Sequence, residues 1–212
     1  MTKKLLLARS DHDIGNHYLF MYSQEIVTEA EARGWSVERA DNDRNTRKSV
    51  HSRLSNKPNL VVLNGHGSDD EVYGFKDEVV LGPYDSALLS GCVAFIRACA
   101  SLNGLGVRAV KSGAKAVAGY RGDFWIPRIH EYHATPLKDP SARPVLEASN
   151  LVPLRLLKGA SVQSAVEASK KYSFELISRM LTSGEPYDSP SVRALINNQA
   201  LLGFEGEPTS SV

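Results

Sequence analysis

Short continuous apolar runs alternate with stretches in which apolar residues return every three or four positions, and this rhythm holds over the first two thirds of the chain. Residues 4–8 form the first run. Asp13 stands where it can cap a helix whose Tyr18, Tyr22, Ile26 and Ala30 recur every fourth position until Gly34 stops it. Residues 35–40 read as a second strand, 45–54 as a polar helix, and 59–63 as a third strand entered through Pro58 and ending in Asn64-Gly65-His66-Gly67. Two short apolar stretches around Lys76-Asp77-Glu78 predict a hairpin, and residues 86–89 a helical turn. The most apolar strand, 92–96, runs into Arg97-Ala98-Cys99-Ala100-Ser101, then a short helix over 103–112, a stop at Gly113, and a fifth strand over 115–120.

Strands that are apolar at every position, separated by helices, predict an α/β fold: a mostly parallel sheet with helices on both faces. Over residues 121–144 the periodicity gives way to Gly, Asp, Pro, His and aromatic residues. A loop of that length in a compact domain is usually functional, and it is expected to lie over the edge of the sheet. The last third reads helical over 151–158, 162–180 and 191–202. The expected organisation is one domain over 1–203 and a flexible, frayed tail over 204–212.

Composition narrows the function. The 212 residues carry 25 Lys+Arg against 24 Asp+Glu, so the positive footprint of a nucleic-acid binder is missing. No apolar run approaches the ~18 residues that a membrane span needs. With 42% hydrophobic and 23% charged residues the chain is of ordinary globular composition. The start imitates a signal peptide, but Arg9-Ser10-Asp11-His12-Asp13 ends its apolar stretch, and a cytoplasmic protein is expected. Cys92 and Cys99 are too few for a disulfide framework and should be reduced thiols.

In an open parallel sheet, ligands bind beyond the carboxyl ends of the strands. Three clusters fall at such ends: Asp11-His12-Asp13, Asn64-Gly65-His66-Gly67 and Arg97-Ala98-Cys99. A histidine and a cysteine there suit a thiol nucleophile, since the imidazole can take the thiol proton and a helix N-terminus after the cysteine would lower its pKa. The Gly67 N–H could approach a substrate carbonyl as an oxyanion-hole donor. Read singly, each residue also has a structural role: free cysteines are commonly core residues, as Cys92 should be, and Gly-His-Gly can be a tight turn. His130-Glu131-Tyr132-His133 spaces its histidines three apart rather than the four a zinc-protease helix requires.

The pair of strands, one ending in His66-Gly67 and the next in Ala98-Cys99, resembles the signature of the caspase-like cysteine peptidases, a group that includes caspases, metacaspases, legumain, gingipain and separase. Residues 101–120 are most similar to the prokaryotic CHAT branch. The resemblance covers roughly residues 60–125 and implies Cys99 as nucleophile, His66 as general acid, and the Gly67 and Cys99 N–H groups as oxyanion hole. It implies no cofactor and no metal in the chemistry, and a protein or peptide substrate. It also implies a regulatory protein partner or self-association. Where caspases show Gln-Ala-Cys-Arg-Gly, this chain has Arg97-Ala98-Cys99-Ala100-Ser101, so the caspase substrate pocket does not transfer.

Arg97, two residues before Cys99 along a strand, should face the same side as the nucleophile, and the resemblance implies that this position lines the pocket for the residue before the cut. Asp11, Asp13 and Asp123 are the carboxylates that could neutralise it or reverse the pocket's sign. A charged residue before the scissile bond is expected, with a lean toward acidic. Two other classes stay open: a magnesium-dependent phosphohydrolase using Asp11 and Asp13, and a catalytically inactive module that binds a partner through residues 121–144.

Overall fold

The computed structural model describes residues 2–183 and 187–212. Strands β1 (Lys4–Arg9), β2 (Ser36–Asp41), β3 (Leu60–Asn64), β6 (Val93–Arg97), β7 (Ala116–Tyr120) and β8 (Leu202–Gly206) form one sheet in the order β2-β1-β3-β6-β7-β8. All neighbours pair in parallel except β7 with β8. A two-stranded ribbon, β4 (Val72–Tyr73) and β5 (Val79–Leu81), stands apart. The mostly parallel α/β sheet agrees with the sequence reading.

Side chains alternate across a strand, so a strand apolar at every position must bury both faces. Leu5, Leu7, Leu60, Val62, Val93 and Phe95 pack on one side against α2 (Gln24–Ala32), α5 (Ala142–Leu157) and α6 (Val162–Thr182). Leu6, Ala8, Val61, Leu63, Ala94 and Ile96 pack on the other against α3 (Arg47–Leu54), α4 (Val107–Lys111) and the ribbon. The connection from β1 to β2 runs through α1 (Ile14–Tyr22) and α2, and the one from β2 to β3 through α3. Strand order therefore reverses beside β1, and such a reversal opens a crevice at the carboxyl ends of β1 and β3.

Three elements differ from their sequence signals. The helix expected to run from residue 14 to Gly34 breaks at Ser23, where the Phe20 C=O and Ser23 Oγ turn to accept the Arg9 guanidinium at 2.9 and 3.1 Å. The helix expected at 151–158 begins at Ala142, and its two prolines hid the start. Pro144 lies in the first turn, where an N–H has no partner in the helix anyway, and Pro153 forgoes one internal bond.

The third difference is the expected frayed tail. Residues 202–206 instead pair antiparallel with β7 in continuous register, and the chain is tied on to its end, with Val162 N–H donating to Ser210 C=O at 2.8 Å. Two glycines and a glutamate make this a weak strand by composition. What recruits it is the open edge of the fully buried β7, whose backbone groups need partners. The last helix, α7 (Ser189–Leu201), leads directly into it, and among the described residues no helix is long and apolar enough to cross a membrane.

Candidate active site

Register brings the two candidate catalytic residues side by side. Asn64 is the Cα partner of Arg97, and Gly65 N–H donates to Arg97 C=O at 3.3 Å, which carries the pairing just past the strand end. His66 and Cys99 each stand two residues beyond that pair, so they leave the sheet at one level on adjacent strands, whose spacing is about 4.8 Å. Both line one cavity of about 140 Å³, with Arg97, Phe124, Ile126 and Arg128. A Cβ on Gly67 would come 2.7 Å from the Ala98 Cβ and 3.2 Å from the Cys99 carbonyl oxygen, so only glycine lets the two loops meet here.

Asp13 does two things at once. It caps α1, accepting from the Asn16 N–H at 2.9 Å and from the Asn16 side chain, and it accepts from His66 Nε2 at 3.1 Å. Burial pulls this carboxyl up, but the hydrogen bonds from Asn16 and the His66 ring outweigh it and hold the group below the usual carboxylate range. An ionised carboxylate only accepts, so His66 Nε2–H is the donor in this bond and Nδ1 is the ring nitrogen left outside it. The sequence reading put Asp13 in the substrate pocket; in the structure it bonds to His66 and is not among the residues that line the cavity. Asp11 is exposed and has no part in this arrangement. The two carboxylates hence do not form the pair that the phosphohydrolase alternative needs, since Asp13 is committed to Asn16 and His66.

The thiol is held in its neutral form. Burial pushes the Cys99 pKa up, the Phe124 N–H pulls it partly back, and the Asp123 carboxylate pushes it up again. The helix N-terminus expected to lower it is not formed as such. After Cys99 the chain turns through Ala100 at φ +54°, a left-handed conformation that costs a non-glycine residue roughly 1–2 kcal/mol. It then winds as a wide π turn, Leu102–Gly106, before α4 begins. Ala100 N–H donates to Gly122 C=O at 3.0 Å, which ties this strained turn to the long loop.

That loop crosses the site rather than the sheet's edge. At its start, Asn198 of α7 clamps the Trp125 backbone, accepting from its N–H and donating to its C=O, both at 2.9 Å. Toward its end, Asp139 is fully buried and accepts from Tyr18 Oη at 2.6 Å and from the N–H groups of Ile129, Ser141 and Ala142 at 2.9, 2.9 and 3.2 Å. Between these anchors Phe124, Ile126 and Arg128 form the cavity wall. None of these three was legible as a site residue, because a loop without periodicity does not reveal which of its side chains face inward.

Arg97 is 0% exposed and has one hydrogen-bond partner, Asn150 Oδ1, at 2.7 Å from Nη2. Its Nε and Nη1 have none. The guanidinium lies 5.5 Å from the Phe95 ring centroid, a contact worth about 0.5–2 kcal/mol, against about 1–3 kcal/mol for each buried donor left unsatisfied. Burial pushes its pKa down to about 10, which still leaves it charged at neutral pH. No Asp or Glu lines the cavity among the described residues. Asn150 was also missed; its one sequence signal is an amide set within the apolar positions of α5.

The fold is a mostly parallel sheet flanked by helices, matching a caspase-like fold, and a histidine and a cysteine stand beyond adjacent strands. No family model and no curated protein sequence matches the chain. Among solved structures it is similar to the Arg-specific cysteine proteinase gingipain R (RgpB), with a TM-score of 0.64 and 14% identity over 99% of this chain. It is likewise similar to the complex of the pro- and mature domains of Porphyromonas gingivalis RgpB, with a TM-score of 0.64, 12% identity and 99% of this chain covered. The chain spans about half the length of those proteins, 47% and 48%. At such identity the likeness establishes the fold.

Proposed function

We propose that the protein is a cysteine endopeptidase in which Cys99 is the nucleophile, His66 the general acid and base, and Asp13 the residue that orients His66. The observation that carries this reading is the equal offset of His66 and Cys99 beyond the paired residues Asn64 and Arg97, with both side chains opening on one cavity. His66 Nδ1 takes the thiol proton as the sulfur bonds to the scissile carbonyl carbon. The Gly67 and Cys99 N–H groups receive the oxyanion, His66 returns the proton to the leaving amine as the C–N bond breaks, and water then hydrolyses the thioester.

A thiol whose pKa is raised is protonated at rest, so the proton transfer belongs to the substrate complex rather than to a standing thiolate. The cut is expected after a charged residue. The arginine specificity of gingipain R is not carried over, because the cavity here is walled by Arg97 and Arg128 and, among the described residues, by no carboxylate. The resemblance of residues 101–120 supports a reading in which the chain is nearest the prokaryotic CHAT branch. Its two unpaired thiols suit a cytoplasmic setting. A regulatory partner or self-association is expected; one solved structure of similar fold is a complex of pro- and mature domains.

The raised thiol pKa favours a second reading, an inactive caspase-like module. One experiment separates the two: incubation with a peptide-based, thiol-directed electrophile and with peptide substrates. Cys99→Ala should abolish labelling and hydrolysis, His66→Ala should lower turnover by about 10²–10⁴-fold, and Cys92→Ala should do neither. Equal labelling of Cys92 and Cys99, or hydrolysis that survives Cys99→Ala, would overturn the peptidase reading.

A further inference from the structure

We propose that a groove between α1–α2 and α5–α6 receives a lysine or arginine side chain presented by a partner protein. The groove is a cavity of about 580 Å³ and shares no lining residue with the one that holds Cys99 and His66, so the proposal stands apart from the peptidase reading. Part of its wall is apolar: Met21 of α1, Leu151 and Leu154 of α5, and Leu137, which is 45% exposed at the rim. Tyr22 and Tyr172 add two aromatic rings. Gln24 and Glu25 are exposed beside them, so a side chain can enter while the backbone that carries it stays outside.

The charged part of the wall is short of cations. Glu25 and Glu147 line the groove, with Arg143 as the one basic residue among the described ones. Glu147 is half-buried and makes no hydrogen bond among the described residues; its ion pair, to Arg143 Nε, is 3.9 Å long. Arg143 is drawn away, with Nη2 donating to Leu137 C=O at 2.9 Å. Burial pushes the Glu147 carboxyl up, Arg143 pulls it partly back, and Glu25 pushes it up again. Glu25 is held in place, since its Oε2 accepts from Asn150 Nδ2 at 3.1 Å. An arriving ammonium or guanidinium would meet one preset carboxylate and one partly desolvated carboxylate between aromatic rings. A phosphate or carboxylate would face two like charges against a single arginine, and an apolar side chain would desolvate both glutamates without pairing either. A methylene stem that ends in a cation satisfies both parts of the wall, and that is the side chain of lysine or arginine.

The test follows the amide shifts of isotope-labelled Cys99→Ala protein by NMR, so that no cleavage intervenes. The probes are the capped tripeptide Leu-Lys-Leu and the same peptide with norleucine, which keeps the stem and lacks the charge. The lysine peptide should bind about tenfold tighter or more, with the shifts centred on Met21, Glu25, Glu147 and Tyr172. Glu147→Gln, which keeps the shape, should bring it close to the norleucine affinity. Equal affinity of the two peptides, or shifts confined to the cavity of Cys99 and His66, would overturn the cation site. Pentylamine, the stem and ammonium alone, should bind about tenfold more weakly than the lysine peptide, because it lacks the side chains that cover the rim. Equal affinity would make the occupant a small amine and overturn the partner. Sedimentation tests the last occupant: a dimer that Glu147→Gln dissociates would mean that the groove holds a second copy of this chain, and the proposal would fall.

Discussion

Two arginines end two parallel strands of the same sheet, and they are treated in opposite ways. Arg9 closes β1 and is 1% exposed; Arg97 closes β6 and is 0% exposed. Around Arg9 every donor nitrogen is occupied. Nε donates to Asp41 at 3.0 Å, Nη1 to Phe20 C=O and Ser23 Oγ, and Nη2 to Gln24 at 3.0 Å, with the Phe20 ring 4.2 Å from Cζ. Arg97 has Asn150 alone. Position in the strand and depth of burial are thus nearly equal, and satisfaction of the donors is what separates the two arginines. A protein that keeps an unsatisfied charge in its interior gives up stability there.

The largest expected effect comes from deleting each guanidinium. Arg9→Met strands the Asp41 carboxylate and the two backbone and side-chain acceptors of the α1–α2 break, and should lower unfolding stability by about 3 kcal/mol. Arg97→Met removes a desolvated charge and two orphan donors while keeping the volume filled, so stability should stay within about 1 kcal/mol of the parent or rise. Urea unfolding with an unchanged slope measures both. Equal losses would mean that Arg97 is as well satisfied as Arg9, and the contrast would collapse.

A smaller effect tests the single pin. Asn150→Ala leaves all of Arg97's donors without a protein partner and also removes donations to Tyr22 C=O and Glu25, and should cost about 2 kcal/mol. Gln24→Ala takes away one of Arg9's several acceptors at a partly exposed position and should cost less than about 1 kcal/mol. The ordering matters more than either value. A Gln24 loss as large as the Asn150 loss would show that redundancy around Arg9 does not protect it.

The sequence carried the strands, their order of appearance, the helices on both faces and the two loops that hold His66 and Cys99, because buried parallel strands must be apolar throughout and their ends carry the polar residues that do chemistry. Arg97 was visible as an arginine two residues before the cysteine. Its lack of partners was not, since that depends on Asn150, more than fifty residues later and on a helix whose start was masked by Pro144 and Pro153. Asp13 was read as a pocket residue from its place at the end of the first strand; its bond to His66 was not legible, because spacing reports that it caps a helix but not which side chain from another strand end will meet it. The edge strand β8 was unreadable for the same reason, being selected by the needs of β7 rather than by its own composition.

The smallest expected effect concerns the thiol beside Arg97. At β1 the carboxylate nearest the arginine, Asp41, bonds to it; beyond β6 the nearby Asp123 faces the cysteine instead, and with burial it keeps Cys99 above the ordinary thiol range. Removing that negative charge stabilises the thiolate, so Asp123→Asn should shift the midpoint of the pH dependence of Cys99 alkylation downward. At neutral pH, below the thiol pKa, the thiolate fraction then grows, and the iodoacetamide rate should rise a few-fold, the gain being trimmed by the lower nucleophilicity of a less basic sulfur. Cys92, at the other end of the same strand, is raised by burial, with Lys57 and Lys115 opposing and no carboxylate acting on it, so its slow alkylation should not change. Mass spectrometry of the two alkylated cysteine peptides across pH reads both sites in one sample. If the Cys99 midpoint stays put or climbs in the variant, Asp123 does not act on the thiol, and the carboxylate's place in this contrast must be given up.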